Sequence, residues 1–329
     1  MKKIINDPNA VVSEMLLGLA KANPEVVYSG VDVEVISRKK KKQNKVGVIS
    51  GGGSGHEPAH AGYVGYGMLD AAVAGNVFAS PPPNRILKGI ELANSGSGVF
   101  MIIKNYSGDV MNFQMAGELA DAEGIKTDYV IVKDDVAVPE STYSTGRRGI
   151  AGTIFVHKIA GAAAEQSKSL EEVKVLAQKT VDNVRSMGMA MTPCILPAAG
   201  KPGFKLAEDE IEIGMGIHGE PGIYREKLTQ AKTIAEKLVN RILDDYEFTG
   251  SEVAVMVNGL GGTPLMELYI LYNEVENILV RENIKIHKSF VGNYMTSLEM
   301  AGCSVSLLKL DQELKDLLDF KCETPAFRV

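Results

Sequence analysis

Short apolar runs alternate along this chain with longer stretches in which apolar side chains return every three or four positions. Strands buried on both faces read as continuous apolar runs, and amphipathic helices carry the longer period, so the alternation confines the chain to the α/β class. It predicts two α/β domains, each with a central, mostly parallel or mixed sheet flanked by helices. In the first half, Lys45–Ser50, Val99–Ile103 and Tyr129–Val132 read as strands. Asn6–Ala22, Asn84–Ala93, Val110–Glu123 and Ile150–Gln166 read as helices, with Gly124 as a stop. A polar-faced helix over Leu170–Ser186 follows, and the alternation then restarts. Strands are expected at Ala190–Leu196, Glu210–Met215, Val253–Val257, Ile284–Phe290 and Val305–Leu310, and helices at Arg225–Asp245 and from Pro264 to Arg281. With 329 residues the chain exceeds the size at which single cores stop growing, about 250–300 residues, so two domains are expected, 1–185 and 186–329.

Two loops stand out within this frame. Gly51-Gly52-Gly53-Ser54-Gly55-His56-Glu57-Pro58 and Gly214-Met215-Gly216-Ile217-His218-Gly219-Glu220-Pro221-Gly222 each set a histidine among glycines just before a proline. The chain has only five histidines. Histidine titrates close to neutral pH, so its neutral form is available as base, nucleophile or ligand. Glycines beside it let a small molecule approach the main chain. The pair points to one site assembled between two lobes. The first loop lacks the last glycine of a dinucleotide fingerprint and the Gly-Lys-Ser/Thr of a P-loop, which leaves a generic backbone nest for hydroxyls or an oxyanion.

Ligand crevices in open α/β sheets lie beyond the carboxyl ends of the strands. A third loop leaves a strand at such an edge, Lys104-Asn105-Tyr106-Ser107-Gly108-Asp109. Asp109 reads equally well as a helix N-cap, and Lys104 as a surface lysine. Together they offer a cation to orient a small polar substrate and a carboxylate to accept a proton. His60, His157 and His287 read as structural. Tyr143–Gly149, with Arg147 and Arg148, reads either as an anion site or as ordinary solvated charge.

Several function classes are disfavoured. The net charge of −6 gives no reason to expect nucleic acid or an anionic membrane as partner, and the single dense basic run, Arg38 to Lys42, reads as a solvated loop. No spacing of histidines and carboxylates suits a protein-held metal. Cys194, Cys303 and Cys322 are odd in number and read as reduced thiols of a cytoplasmic protein. No apolar h-region follows the N-terminus, and no uninterrupted apolar stretch is long enough to span a membrane.

The motifs taken in order resemble one family from end to end: the dihydroxyacetone-binding K subunits, DhaK, of bacterial phosphotransferase-dependent dihydroxyacetone kinases. The resemblance is carried by Gly51–Pro58, Ile102–Asp109, Gly146–Gly149, Pro197–Pro202, Gly214–Gly222, Gly261–Pro264 and Thr296–Leu298. It implies that a ring nitrogen of His218 adds to the ketone carbon of dihydroxyacetone as a hemiaminal. It implies that Asp109 deprotonates the terminal hydroxyl that receives the phosphoryl group and that His56 polarises the same region. Gly53, Ser54, Gly55 and Lys104 fall at substrate-binding positions. No cofactor is implied on this chain. The donor, ADP/ATP with magnesium, would sit on a separate DhaL-type subunit, recharged by a DhaM-type phosphotransferase component, and the chain would form a homodimer.

Departures from the family pattern occur at Pro81-Pro82-Pro83-Asn84, Lys133-Asp134-Asp135 and Pro139-Glu140-Ser141-Thr142-Tyr143. They spare the site positions and fall where a partner surface could change. A second expectation follows: a dihydroxyacetone-sensing co-activator that binds a transcription regulator without kinase turnover.

Overall fold

The computed structural model describes residues 2–139 and 146–329. The run Glu140–Tyr143 and the first three residues of Tyr143–Gly149 lie outside them. The described chain forms two compact units that do not follow a single cut near residue 185. The first comprises Lys2–Val132, Phe155–Val181 and Asp316–Val329; the second comprises the segment from Lys133 to Ile154 and Asp182–Lys315. The two-domain α/β class therefore holds, with a chain that crosses over more than once.

In chain order the first unit carries α1 (Val11–Ala22), β1 (Val26–Tyr28), β2 (Val35–Arg38), β3 (Gly47–Ser54), β4 (Ala71–Val77), α2 (Pro83–Ala93), β5 (Val99–Lys104), α3 (Ser107–Ala122) and β6 (Thr127–Val132). Helices α4 (Thr153–Glu165) and α5 (Leu170–Asn183) follow. The sheet order is β1-β2-β4-β3-β5-β6, with β4, β3, β5 and β6 parallel and β1 and β2 antiparallel at one edge. Central β3 is buried along its whole length, as expected of a strand covered on both faces. Ile49, Val73, Ile86, Ile90, Met101, Ile103 and Phe113 meet in one core between this sheet and α2 and α3. The departure at Pro81–Asn84 forms the start of α2, where Pro83 takes a first-turn position in which its missing N–H costs nothing.

The second unit carries β7 (Val184–Ala190), β8 (Glu210–Ile213), β9 (Tyr224–Lys227), α6 (Ala231–Asp245), β10 (Glu252–Gly259), α7 (Leu265–Arg281), β11 (Lys285–Gly292) and β12 (Gly302–Leu310); α8 (Gln312–Asp319) leads into the C-terminal segment. Its sheet, β11-β10-β12-β7-β8-β9, has one parallel pair, β10 with β11, and is otherwise antiparallel. Two expectations shift here. Val184–Ser186, read as the end of a helix, opens a strand, Val184–Ala190, inside the sheet, and 191–196 is not a strand. Tyr-Arg-Glu-Lys at 224–227, helical by local propensity, pairs with Glu210–Ile213 instead.

The basic run is solvated from Lys39 to Lys42, whereas Arg38, which ends β2, is half-buried. Arg38 pairs with Asp70 at 3.0 Å and with Glu165, and Lys42 donates to the Glu165 carbonyl at 2.7 Å. Asp70 is a hub: its Oδ2 accepts from Lys45 Nζ at 2.5 Å and from the Val48 amide at 2.8 Å. Lys45 and Asp70 are both buried. Removing one partner of a buried pair leaves an uncompensated charge, so Asp70→Asn should lower unfolding stability by about 3–5 kcal/mol in urea titration. A loss below about 1 kcal/mol, the range of exposed pairs, would show that the pair is not the strut described.

Candidate functional site

Strands β3 and β5 are parallel neighbours, Gly47 opposite Val99 and Ser50 opposite Ile102. The Gly51–Pro58 loop and the Lys104–Asp109 loop therefore leave the sheet at the same edge. Lys104 ends β5 with none of its surface exposed. Its ammonium donates to the Gly51 carbonyl at 3.3 Å, to His60 Nε2 at 3.2 Å and to Asp109 Oδ2 at 3.4 Å. Lys104 is thus no surface residue, and each contact is longer than the 2.7–2.9 Å or so usual when a donor is charged. A Cβ on Gly52 would collide with the Lys104 Nζ and stand 3.1 Å from Asp109 Oδ2, and the φ of +146° at this position is one that favours glycine.

Asp109 lies in the first turn of α3, three residues after the N-cap Tyr106, so it is not the cap. The helix N-terminus favours a carboxylate there. Oδ2 faces Lys104, whereas Oδ1 is buried and has no hydrogen-bond partner among the described residues. That oxygen is an acceptor without a partner, on the only carboxylate that Lys104 contacts among the described residues.

His56 is fully buried and its ring stacks on Phe78 at 5.1 Å and 17°. The Ser54 hydroxyl donates to the Gly75 carbonyl at 2.8 Å, tying the loop back to β4. A Cβ on Gly53 would stand 2.7–2.8 Å from the Phe78–Ala79 backbone. Gly55, at φ +104°, donates its amide to Glu57 Oε1 at 3.0 Å, and burial raises the Glu57 carboxyl above its ordinary range. The glycines therefore serve close packing and turn geometry as well as openness.

Two histidines read as structural belong to this cluster. Burial, followed by the charge of Lys104, drives His60 well below its ordinary value, so it is a neutral acceptor for that ammonium. His157 sits 5.2 Å from it, ring centre to ring centre, and burial with Lys104 nearby pushes it down to about 3. Neither nitrogen of His157 has a hydrogen-bond partner among the described residues. The sequence offered no direct signal for His157; for His60, nearness to the first loop was the hint.

The second unit builds the other loop. β8 and β9 pair antiparallel, Ile213 opposite Tyr224, and Gly214–Gly222 joins them. His218 Nδ1 lies 2.9 Å from Glu220 Oε1, and its backbone amide donates to Glu220 Oε2 at 2.9 Å. Burial alone would raise the Glu220 carboxyl, but the hydrogen bond and charge of His218 outweigh it and hold the group at about 2. Beneath the loop, buried Arg148 donates to the Gly214 carbonyl and to Asp135 Oδ2, each at 2.7 Å. Desolvation pushes Asp135 up to about 6 despite that cation. Asp134 accepts the amides of Ile150 and Gly152 at 2.8 Å each, upstream of α4. Arg148 and the Asp134–Asp135 pair are therefore internal struts, and Arg147 forms an ion pair with Asp245. The sequence alone gives Glu220 and Asp135 no role and reads Arg148 as an anion site or solvated charge, whereas it is a buried strut; His-Gly-Glu inside a turn was the available signal for the first.

Among the described residues no group of three or more His, Cys, Asp or Glu could hold a metal, and no helix is long and apolar enough to cross a membrane. None of the three cysteines is in a disulfide among the described residues, and all three are buried.

Two α/β units, each setting polar side chains in a glycine-rich loop at the end of a strand, define the class of fold. Residues 17–326 match the Dak1 domain. Over 329 residues the chain is 52% identical to the PTS-dependent dihydroxyacetone kinase 1, dihydroxyacetone-binding subunit DhaK, of Listeria innocua, covering 99% of this chain and 100% of that one. It superposes on the dihydroxyacetone kinase operon co-activator Dha-DhaQ with a TM-score of 0.90 at 40% identity, covering 95% and 97% of the two chains. With the dihydroxyacetone kinase of C. freundii in complex with AMP-PNP and Mg2+ the TM-score is 0.92 at 35% identity, covering 99% of this chain and 61% of that kinase. This chain belongs to the Dak1 family, that of the DhaK subunits of dihydroxyacetone kinases.

A buried neutral histidine has a pH signature. The unfolded chain binds its proton near the ordinary value of 6.5, the folded chain only near 3, so stability present above 6.5 is lost as pH falls toward 3. Replacing His157 by Leu should reduce the stability difference between pH 7 and pH 5 by about 2 kcal/mol, measured by chemical denaturation at both values. An unchanged difference would mean that His157 is not held neutral.

Proposed function

We propose that this chain is the dihydroxyacetone-binding subunit of a PTS-dependent dihydroxyacetone kinase. His218 holds the ketone covalently as a hemiaminal, and Asp109 takes the proton of the terminal hydroxyl that is phosphorylated, giving dihydroxyacetone phosphate. The reading is supported by one observation above others: a buried carboxylate with one oxygen on Lys104 and the other, Oδ1, without a partner among the described residues. A base needs an acceptor oxygen free for the proton it removes. Lys104 assists: its long contacts can give way to a substrate hydroxyl without stranding the ammonium. His56, stacked on Phe78, polarises the substrate, and Gly53, Ser54 and Gly55 supply the surface on which it lies.

A covalent anchor selects for a carbonyl, since glycerol cannot form the bond. It also fixes the hydroxyl for in-line transfer, and phosphoryl transfer depends largely on positioning and electrostatics. The phosphoryl donor in this proposal is ATP, with magnesium, on a separate DhaL-type subunit served by a DhaM-type component. The protein acts as a cytoplasmic homodimer.

A second reading has an observation of its own. The co-activator Dha-DhaQ matches this chain over nearly its full length. In that reading the same residues sense dihydroxyacetone for a transcription regulator.

Reconstitution with DhaL- and DhaM-type subunits should give dihydroxyacetone-dependent pyruvate release from phosphoenolpyruvate. Asp109→Asn should keep ligand binding and lower turnover by roughly 100-fold or more, the scale of general-base loss. A crystal soaked with dihydroxyacetone should show electron density joining the ligand to His218. No turnover, together with dihydroxyacetone-dependent capture of a regulator, would favour the sensor. Unchanged turnover in Asp109→Asn would remove Asp109 from the role of base.

A further inference from the structure

Five consecutive cations, Arg38 to Lys42, stand in a chain of net charge −6, and the dihydroxyacetone site gives them no part. We propose that this run forms one wall of a second binding site, in the first unit, for a small organic phosphate: a phosphate monoester whose other end carries hydroxyls. The proposal uses none of the residues assigned to dihydroxyacetone and is tested separately from that assignment.

The site is a cavity of about 570 Å³, inside the range of roughly 300–1,000 Å³ usual for small-molecule sites. Four stretches of the first unit line it: residues 24–25 ahead of β1, 38–40 at the end of β2, 65–66, and 323, 324 and 328 in the C-terminal segment. Main-chain hydrogen bonds tie these stretches together. The Lys39 amide donates to the Glu25 carbonyl at 2.9 Å, and the Glu323 amide to the Tyr66 carbonyl at 2.9 Å. Cys322 and Val329 exchange amide-to-carbonyl bonds at 3.2 Å, which closes the turn that carries Arg328. The walls are preorganised, so a ligand does not have to order them.

Topology keeps this cavity apart from the glycine loop. β2 runs antiparallel to β4, Ser37 opposite Ala71, so Arg38 stands at the start of β4, its amide bonded to the Asp70 carbonyl at 2.9 Å. Gly53 lies opposite Gly75, toward the far end of the same strand. The cavity and the Gly51–Pro58 loop therefore stand at opposite edges of one sheet.

The charges select the ligand. Arg38 is neutralised by Asp70 and Glu165, so it holds the wall. Lys39, Lys40 and Arg328 are exposed and form no ion pair among the described residues. Three uncommitted cations on one cavity suit a phosphate monoester, which carries about −1.5 to −2 charge near neutral pH, with lysines as point charges and arginine as a two-pronged donor. Glu25 and Glu323 line the same cavity. Ionised carboxylates only accept, so they repel a ligand that is anionic throughout and receive the hydroxyls of one that is anionic at one end. The Tyr66 ring is engaged, stacked with Phe320 at 5.9 Å and 27° and with the Arg38 guanidinium 6.0 Å from its centre. Tyr66 thus offers a ligand its hydroxyl rather than a platform for a flat base. A sugar or sugar-alcohol phosphate fits this pattern; a nucleic acid, charged along its whole length, does not.

Sorbitol 6-phosphate tests the site, because it has no carbonyl to bond with His218. In 15N–1H NMR titrations of the whole protein at low salt it should saturably shift the amides of Lys39, Lys40, Tyr66 and Arg328 and leave those of Gly53 and Asp109 in place. It should bind more tightly than inorganic phosphate, and sorbitol should not bind. Lys39→Gln combined with Lys40→Gln, both exposed positions, should weaken its binding at least about tenfold, the scale of lost hydrogen bonds to charged groups, and leave dihydroxyacetone binding unchanged. Glu25→Gln combined with Glu323→Gln should narrow the preference over inorganic phosphate. The inference is overturned by an absence of saturable shifts, by shifts confined to Gly53 and Asp109, or by full affinity in the lysine variant. Equal affinity for inorganic phosphate, or tighter binding of AMP than of the sugar-alcohol phosphate, would overturn the ligand class.

Discussion

A lysine ammonium with none of its surface in water must find its acceptors inside the protein, and the first unit is arranged around that requirement. Lys104 has three donors and three acceptors from different parts of the chain: the Gly51 carbonyl, the His60 ring and the Asp109 carboxylate. Two of these acceptors are neutral and one is charged. The arrangement leaves the lysine balanced by one carboxylate, and that carboxylate with one oxygen over. Gly52 takes a φ of +146° that favours glycine, and the ammonium stands where a Cβ would be. His60 must remain neutral, and its burial together with the adjacent positive charge keeps it so.

The second unit solves a related problem with the opposite sign. There the central charge is the Glu220 carboxylate, and its acceptor capacity is taken up by a ring nitrogen and an amide of the same neighbour. Both devices use one residue's charge to fix another residue's proton. In the proposed reaction, one device prepares a nitrogen to attack a carbonyl, and the other prepares an oxygen to receive a proton. The Lys104–Asp109 contact is buried, where such a contact is strengthened by the exclusion of water, and the His218–Glu220 contact is half-buried.

The sequence made legible those parts of the fold where local pattern and tertiary role agree. β3, β5 and β6 are apolar runs inside a parallel sheet, and each begins or ends within a few residues of expectation. β4, Ala-Ala-Val-Ala-Gly-Asn-Val, escaped because small residues give no β signal of their own; it is a strand because β3 and β2 pair with it. β7 and β9 were misread because Val-Arg-Ser-Met-Gly-Met-Ala and Tyr-Arg-Glu-Lys are fixed by their partners in the sheet. The crossing of 133–154 into the second unit has the same cause, for no composition shift marks it. At the site, glycine clustering revealed His56 and His218, and the strand end revealed Lys104 and Asp109. What it did not reveal is how their hydrogen bonds are shared. That depends on His60, which follows the first loop, and on Asp135 and Arg148, far in sequence from His218.

The most direct test of the account is the structure and activity of Lys104→Met, which keeps the length of the side chain and removes the charge. The account predicts a folded protein in which the Gly51–Pro58 loop and the Asp109 side chain move from their observed positions and dihydroxyacetone-dependent turnover in the reconstituted system is lost. An unmoved loop and Asp109, with turnover retained, would contradict it.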